Sequence, residues 1–483
     1  MSLTSAMMTA QSSIRARSAE VAITSQNIAN VKNATYHRQT ANLHTVVTDG
    51  GMGILVSNAK RAANQAALTS VMQSKATATA TGSYGTLLGQ IDQLIGNPFG
   101  GGISREVGVL QGAMRAYSNE PSNMVLAQSV LNGASTLATS LNNASIGVQK
   151  VRQDADQSMA LSVENINNIL KDLKKVNDEV VKGTAAREDV NSEMDKRDHL
   201  LQKLSEEIGI DVIYRDNNDV AVYTDSGVTL FETSPRDVTF AAKGVFDATV
   251  SGNQVFVDGV SVAGEGARDP LKGGALAGYA KMRDQTAETL QTQLDELSFA
   301  LIDTFKEVDP TAVGAPAAGL LTWDGAALPT VAEKAGLSAK IRLNANFDPA
   351  QGGNLTAVRD GHTYSFNTLS VEGFSEHLNK QVEAMTVGRT FDAKAGVNTN
   401  SDLREFTSNA ASWISTERQR ATEVAALDAA AYKKANGTLS GATGVSLDTQ
   451  MQLLLNIENA YSASARLMTT VDGMFKTLLQ AAR

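Results

Sequence analysis

A chain of 483 residues is long for one domain and points to roughly two to four of them. Its hydrophobic fraction of 42% can fill real cores, but aromatics are only 5%, a mix suited to long packed helices rather than an aromatic-rich enzyme core. A net charge of −9 argues against nucleic acid as the main partner, and the lack of cysteine excludes disulfides, thiolate nucleophiles and cysteine metal sites.

The first thirty residues carry a heptad stripe. Leu3, Met7, Ala10, Ile14, Val21, Thr24, Ile28 and Val31 recur at steps of four and three, interrupted by Arg17. Such spacing lines one side of a helix with apolar groups and calls for a partner helix. Across residues 1–61, Arg15, Arg17, Lys32, Arg38, Lys60 and Arg61 face only Glu20 and Asp49, which reads either as a solvated face or as a basic arm meeting acidic neighbours. The opening residues lack the basic-then-apolar order of a cleavable signal, and no apolar run reaches membrane-spanning length. A protein of this kind that leaves the cell needs a route without cleavage.

A polar stretch over 30–42 leads to alternating residues around Leu43 to Val47, a turn at Gly50, Gly51 and Gly53, and a strand-like run over 54–56. Residues from about 60 to 95 read as helix, ended by a loop over 96–102 that contains Pro98 and several glycines. A shorter helix covers about 104–117. Glu120, Pro121 and Ser122 then introduce the longest pattern in the chain, from Leu126, Val130 and Ala134 through Val151, Ala155 and Met159 to Val176 and Val180. A stripe of that length predicts an elongated bundle.

After a helix over about 188–207 the period changes from near 3.6 to 2. Short β-branched runs at 212–214, 220–223, 228–231, 238–240 and 255–257, separated by turn residues, predict an inserted antiparallel meander or small sandwich. Helix returns at Gly274 and fades at Pro310; residues 311–369 are Gly-rich and mixed. Helices resume near Val371 and from Asp402 to about Lys434, and Gly437 to Gly444 reads as a flexible joint. A second heptad stripe closes the chain: Leu454, Ile457, Tyr461, Met468, Val471, Phe475 and Leu478, interrupted by Ser464. Neither terminal stripe has much apolar area, so both ends are expected to order on assembly.

The expected fold is therefore mainly α with an inserted β region: paired N- and C-terminal coiled-coil helices, an elongated helical bundle and a small antiparallel β domain. By residue, 1–60 with 441–483 form the terminal coiled coil; 61–208, 271–310 and 370–440 the bundle; 209–270 the β insertion; and 311–369 a Gly-rich mixed insertion.

Little suggests chemistry. His37, His44, His199, His362 and His377 form no local metal-ligand pair. Asn398, Asn400 and Asp402 begin like a calcium loop, but Asn409 stands where a bidentate Glu belongs, so the segment reads as a helix start. Gly259, Ser261 and Ala263 miss the second glycine of a nucleophile elbow. No phosphate-binding loop is present. The reading is of a non-enzyme without cofactor or metal.

Two terminal segments carry a resemblance. Ser25-Gln26-Asn27-Ile28-Ala29-Asn30 with Tyr36-His37-Arg38-Gln39, and the stretch from Gly444-Val445-Ser446-Leu447-Asp448 through Asn459-Ala460-Tyr461 to Met474-Phe475-Lys476, resemble the two end signatures of the flagellar axial protein family, whose members build rod, hook and hook-associated parts. Leu94 to Gly100, Ser118 to Pro121 and Met194-Asp195-Lys196-Arg197-Asp198-His199-Leu200-Leu201 resemble the helical domain of its hook-associated members. One departure stands out: Thr35 occupies the position before the signature tyrosine that is usually Gly, which predicts strain there if the turn needs a positive φ.

The resemblance implies a structural subunit of the bacterial flagellum at the junction of hook and filament, exported unfolded by the flagellar type III route and located outside the cell. It implies assembly through Met7, Ile14, Val21, Asn27, Ile28, Asn30, Tyr36, Arg38, Leu454, Ile457, Tyr461, Met468, Val471, Phe475 and Leu478. The implied partners are further copies in a ring, the hook protein, a second hook-associated junction protein, and an export chaperone at the C-terminal helix, with neither nucleic acid nor membrane. Two alternatives stay open: another axial subunit of hook or filament, and a non-flagellar coiled-coil protein dimerising through its ends.

Overall fold

The computed structural model describes residues 3–48, 51–95, 102–325 and 327–481. It is mainly helical with small antiparallel sheets inserted. In chain order, α1 (Leu3–Ala29) is followed by a hairpin of β1 (Gln39–Thr48) and β2 (Gly51–Arg61), then α2 (Gln65–Ile95), α3 (Ile103–Asn119), α4 (Met124–Ala186) and α5 (Asn191–Glu207). Two three-stranded sheets come next, β3 (Ile210–Tyr214), β4 (Val220–Thr224) and β5 (Thr229–Phe231), and β6 (Val238–Thr239), β7 (Val255–Val257) and β8 (Val260–Ala263). Helices α6 (Ala275–Lys281) and α7 (Ala287–Thr304) flank a π-helical turn at Met282–Thr286. The irregular lobe beyond holds β9 (Leu321–Thr322), β10 (Arg342–Leu343), α8 (Ala357–Asp360), α9 (Glu376–Ala384), β11 (Arg389–Thr390) and β12 (Asn400–Ser401). Helices α10 (Leu403–Thr443) and α11 (Leu447–Ala481) end the chain.

The long stripe is one continuous helix: α4 has 63 residues, about 95 Å at 1.5 Å per residue. Asn123 caps its start by accepting from the Val125 amide at 3.1 Å, and Arg187 closes it in a left-handed conformation, φ 61°. A helix this long outruns any single core, so it runs through two. One gathers the first half of α4 with α3, α7, the end of α2, the start of α10 and the irregular lobe. The other gathers its second half with α5, the start of α2 and the strands β3 to β8.

The β strands therefore share a core with helices. Val220, Val222, Leu230 and Phe231 are fully buried beside Ile166, Leu170, Leu201 and Leu204. β3 and β4 pair with Val212 opposite Val222, and β4 with β5 across a bulge at Val222 and Tyr223. Residues 311–369 likewise fold onto α7: the buried Glu307 carboxylate accepts from the amides of His362, Thr363 and Tyr364 at 2.7 to 3.0 Å, and Asp295 accepts from those of Gly336 and Ser338. Few strands are needed where carboxylates collect the backbone donors.

Two expectations change. The strand-like runs near 43–47 and 54–56 belong to a far longer hairpin, paired from Gln39 opposite Arg61 to Thr48 opposite Gly51 with a bulge between Thr40 and Asn42. The joint expected over 437–444 is helix: α10 continues through Gly437 and Gly441 and turns only at Gly444. A glycine lowers helix propensity by about 1 kcal/mol but does not stop a helix whose other residues pack, and Leu439 and Thr443 on either side are buried. The loop read at 96–102 lies outside the described residues as far as Gly101.

Candidate assembly interface

Helices α1 and α11 lie side by side and antiparallel. The Ser13 and Ser464 hydroxyls meet at 3.0 Å, and Asn27 Nδ2 donates to Gln450 Oε1 at 2.9 Å. Ser13 to Asn27 and Gln450 to Ser464 are both intervals of 14 residues, two whole heptads, so the seam holds one register between its polar ends. Ser464, which interrupts the apolar stripe, is thus a seam residue.

The innermost positions of α1 are small or polar: Ala10, Ala16, Thr24 and Asn27 are buried, whereas Met7, Ile14, Val21 and Ile28 are half-buried. Small groups let α11 and the hairpin approach the α1 backbone closely, and the Ser12 hydroxyl accepts from the Ile54 amide at 3.2 Å. Arg17 turns aside to Glu20 at 2.6 Å, leaving Ala16 to the seam. On α11, Ile457 and Val471 are buried, Leu454, Met468 and Phe475 half-buried, and Tyr461 and Leu478 exposed.

Asn27 is the keystone. Its amide donates to the Gln39 carbonyl at 2.8 Å and to Gln450, and its oxygen accepts from the Tyr36 hydroxyl at 2.8 Å and the Gln39 amide at 3.0 Å. All four hydrogen-bonding positions of one buried side chain are used, joining α1, the following loop, β1 and α11. Burial first, then Asp195 and Asp189, pushes the Tyr36 hydroxyl up to about 12, so it stays a donor. Asn30 completes the end of α1, donating to the Gln26 carbonyl at 3.0 Å and accepting from Asn33 at 3.3 Å. The strain expected at Thr35 is not there. Its φ is not positive, and Asn33 Oδ1 accepts from both its amide and its hydroxyl, which turns the chain without a glycine.

The helix pair is fastened to the bundle at one joint. Arg38 contributes its backbone amide, which donates to the Thr443 carbonyl at 2.8 Å. His37 Nδ1 lies 2.6 Å from Asp195 Oδ1, and Arg61 bridges Asp195 at 2.9 Å and Asp198. Asn191 donates to the Ala59 carbonyl at 2.8 Å. Along the sequence His37 has no local metal-ligand pair; its partner lies 158 positions away on α5.

Comparison with known proteins finds flagellar relatives. The flagellar hook-associated protein FlgK helical domain matches residues 88–318, and the flagellar basal body rod FlgEFG protein C-terminal family matches residues 436–481. The flagellar hook-associated protein 1 of Salmonella typhimurium is 24% identical over 307 residues, 61% of this chain and 55% of that protein. Its counterpart in Escherichia coli is 26% identical over 157 residues, 32% of this chain and 28% of that one. Over these spans the chain is similar to flagellar hook-associated protein 1. The helical-domain match falls on the end of α2 and on α3 to α7 with the β strands between them, and the rod-type match falls on α11 and the last turns of α10. The alignments span only about a quarter to a half of the curated relatives' length. A flagellar hook junction protein FlgK structure from Burkholderia pseudomallei superposes over 53% of this chain and 46% of that one, at 21% identity and a TM-score of 0.42.

Among the described residues no helix is long and apolar enough to cross a membrane, and no three His, Asp or Glu residues are grouped to hold a metal ion.

Proposed function

We propose that the chain is a structural subunit of the bacterial flagellum that forms the ring joining hook to filament. Its terminal helices assemble with those of neighbouring axial subunits: further copies of itself, the hook protein on one side and a second hook-associated junction protein on the other. Export unfolded, with a chaperone on α11, belongs to the same proposal.

One observation carries it. Helix α11 has more apolar surface than α1 covers. Leu447, Met451 and Leu455 flank the seam on one side, and Leu467 and Met474 on the other, each 47 to 58% exposed. Exposed apolar residues on two flanks of one helix suit packing between several neighbours in a tube wall, more than a two-stranded coiled coil, whose single seam is already filled. Tyr461 at 43% exposure belongs with them.

The test separates covered from uncovered positions. Leu467→Ser with Met474→Ser should leave monomer stability within about 0.5 kcal/mol while blocking incorporation at the hook tip of cells lacking the wild-type protein. Ile457→Ala should instead lower monomer stability by about 2 to 4 kcal/mol. Normal motility with the double variant would defeat the proposal.

A further inference from the structure

Beside the joint lies a cavity of about 60 Å³. His37, Arg61, Arg197, Asp198, Tyr214 and Arg215 all line it. Three of these residues, from three elements, each carry a buried polar atom without a hydrogen-bond partner: Arg61 Nε, Arg197 Nε and the Tyr214 hydroxyl. The Arg61 side chain is 8% exposed and Arg197 is 1% exposed, so bulk water does not serve them. We propose that this cavity binds one small inorganic anion of the chloride class, held by the Nε–H groups of Arg61 and Arg197 and the O–H of Tyr214.

Charge points the same way. Three guanidinium groups line the cavity, and Arg61 pairs with both Asp195 and Asp198. Asp198 is already engaged by Arg61, and Arg215 at the rim by Glu232 at 2.5 Å. Arg197 is the group left over. Its Nη1 donates to the Asn218 carbonyl and, at 3.3 Å, to Asn177 Oδ1, both neutral acceptors. A buried cation in contact only with neutral acceptors is costly, and an anion beside it removes that cost. Asp198 and Asp219 act on Arg197 from beyond contact, and burial still dominates, lowering its affinity for a proton. Two N–H donors and one O–H donor left without acceptors suit an acceptor-only ligand. The size fits a monatomic ion and excludes a nucleotide or peptide.

The site exists only where the hairpin's end, α5 and β3 converge, so its occupancy ties the terminal helices to the bundle. This inference does not depend on the flagellar role. Thermal unfolding of the full chain in chloride against gluconate, at matched ionic strength, should show a saturable rise of a few degrees with chloride. Tyr214→Phe should raise the half-saturating chloride concentration about tenfold, and Arg197→Gln should abolish the response; Glu232→Gln, at the exposed rim pair, should leave it unchanged. If Arg197→Gln does not fold, Tyr214→Phe decides alone. Crystals soaked in bromide should give an anomalous peak between Arg197 and Tyr214. A flat chloride response in the wild-type chain, or water without bromide at that position, overturns the proposal.

Discussion

At the residue scale, buried polar groups set the geometry that apolar patterning leaves open. Asn27→Ala removes four hydrogen bonds at once and strands the Gln39 backbone groups and Gln450. It should cost about 2 to 4 kcal/mol, read as lost hydrogen-exchange protection along α1 with the bundle unchanged. His377 makes a second prediction. Its ring stacks on Phe366 at 3.9 Å, and Nε2 lies 2.9 Å from the Gln381 amide nitrogen, a pure donor, so Nε2 accepts and the ring is neutral. Burial, aided by Lys380 and opposed by Asp360, pulls its pKa down to about 4. The folded pKa lies below the unfolded value of 6.5, so the unfolded chain takes up the proton first as pH falls. Stability from this site is whole above pH 6.5 and is lost toward pH 4, by on the order of 3 kcal/mol. Urea midpoints at pH 7 and pH 5 should fall less in His377→Phe than in the wild type.

At the element scale, long helices are joined by few but buried connections. The π turn between α6 and α7 carries Arg283 into the core, where it meets Asp156 on α4, Asp284 beside it and the Asn253 carbonyl. Asp156 also accepts from the Lys243 amide at 2.6 Å, so one carboxylate fixes the loop of 241–253 to two helices. Asp156→Ala leaves the fully buried Arg283 with Asp284 as its one carboxylate partner and strips the Lys243 amide of its acceptor, and should cost about 1 to 3 kcal/mol, with faster tryptic cleavage at Lys243. The end of α10 gives the opposite expectation. A Cβ at Gly437 or Gly441 meets nothing within 4 Å. Gly437→Ala with Gly441→Ala should therefore raise stability by about 0.5 to 1 kcal/mol per site and preserve motility. A need for flexibility there would show as lost motility despite a higher melting temperature.

At the scale of the whole molecule, the first and last helices meet because everything between them folds back. Helix α10 returns along α2, with Arg418 holding Asp92 through two 2.8 Å bonds and the Tyr84 hydroxyl donating to Glu417 at 2.6 Å. That return delivers Thr443 to Arg38 and starts α11 beside Asn27. The ends were expected to order on assembly, yet the single chain already pairs them through a narrow seam. Deleting residues 447–481 should thus melt α1 as well: circular dichroism should lose more helix than the 35 residues of α11 account for, while the bundle's thermal transition stays in place. Loss of α11's helicity alone would show that α1 stands without its partner.

Periodicity by itself determined the helical class, the 63-residue α4, the strands after Ile208 and the heptads at both ends, because spacing of apolar residues is a local property written along the chain. Tertiary structure alone decided that the β strands share a core with α4 and α5, that one carboxylate on α7 and one just after it organise residues 311–369, and that Asn27, His37 and Ser464 are joints. Those pairings link residues tens to hundreds of positions apart. Polar residues carry no period from which such partners could be read; only the return of the chain brings them within hydrogen-bonding distance.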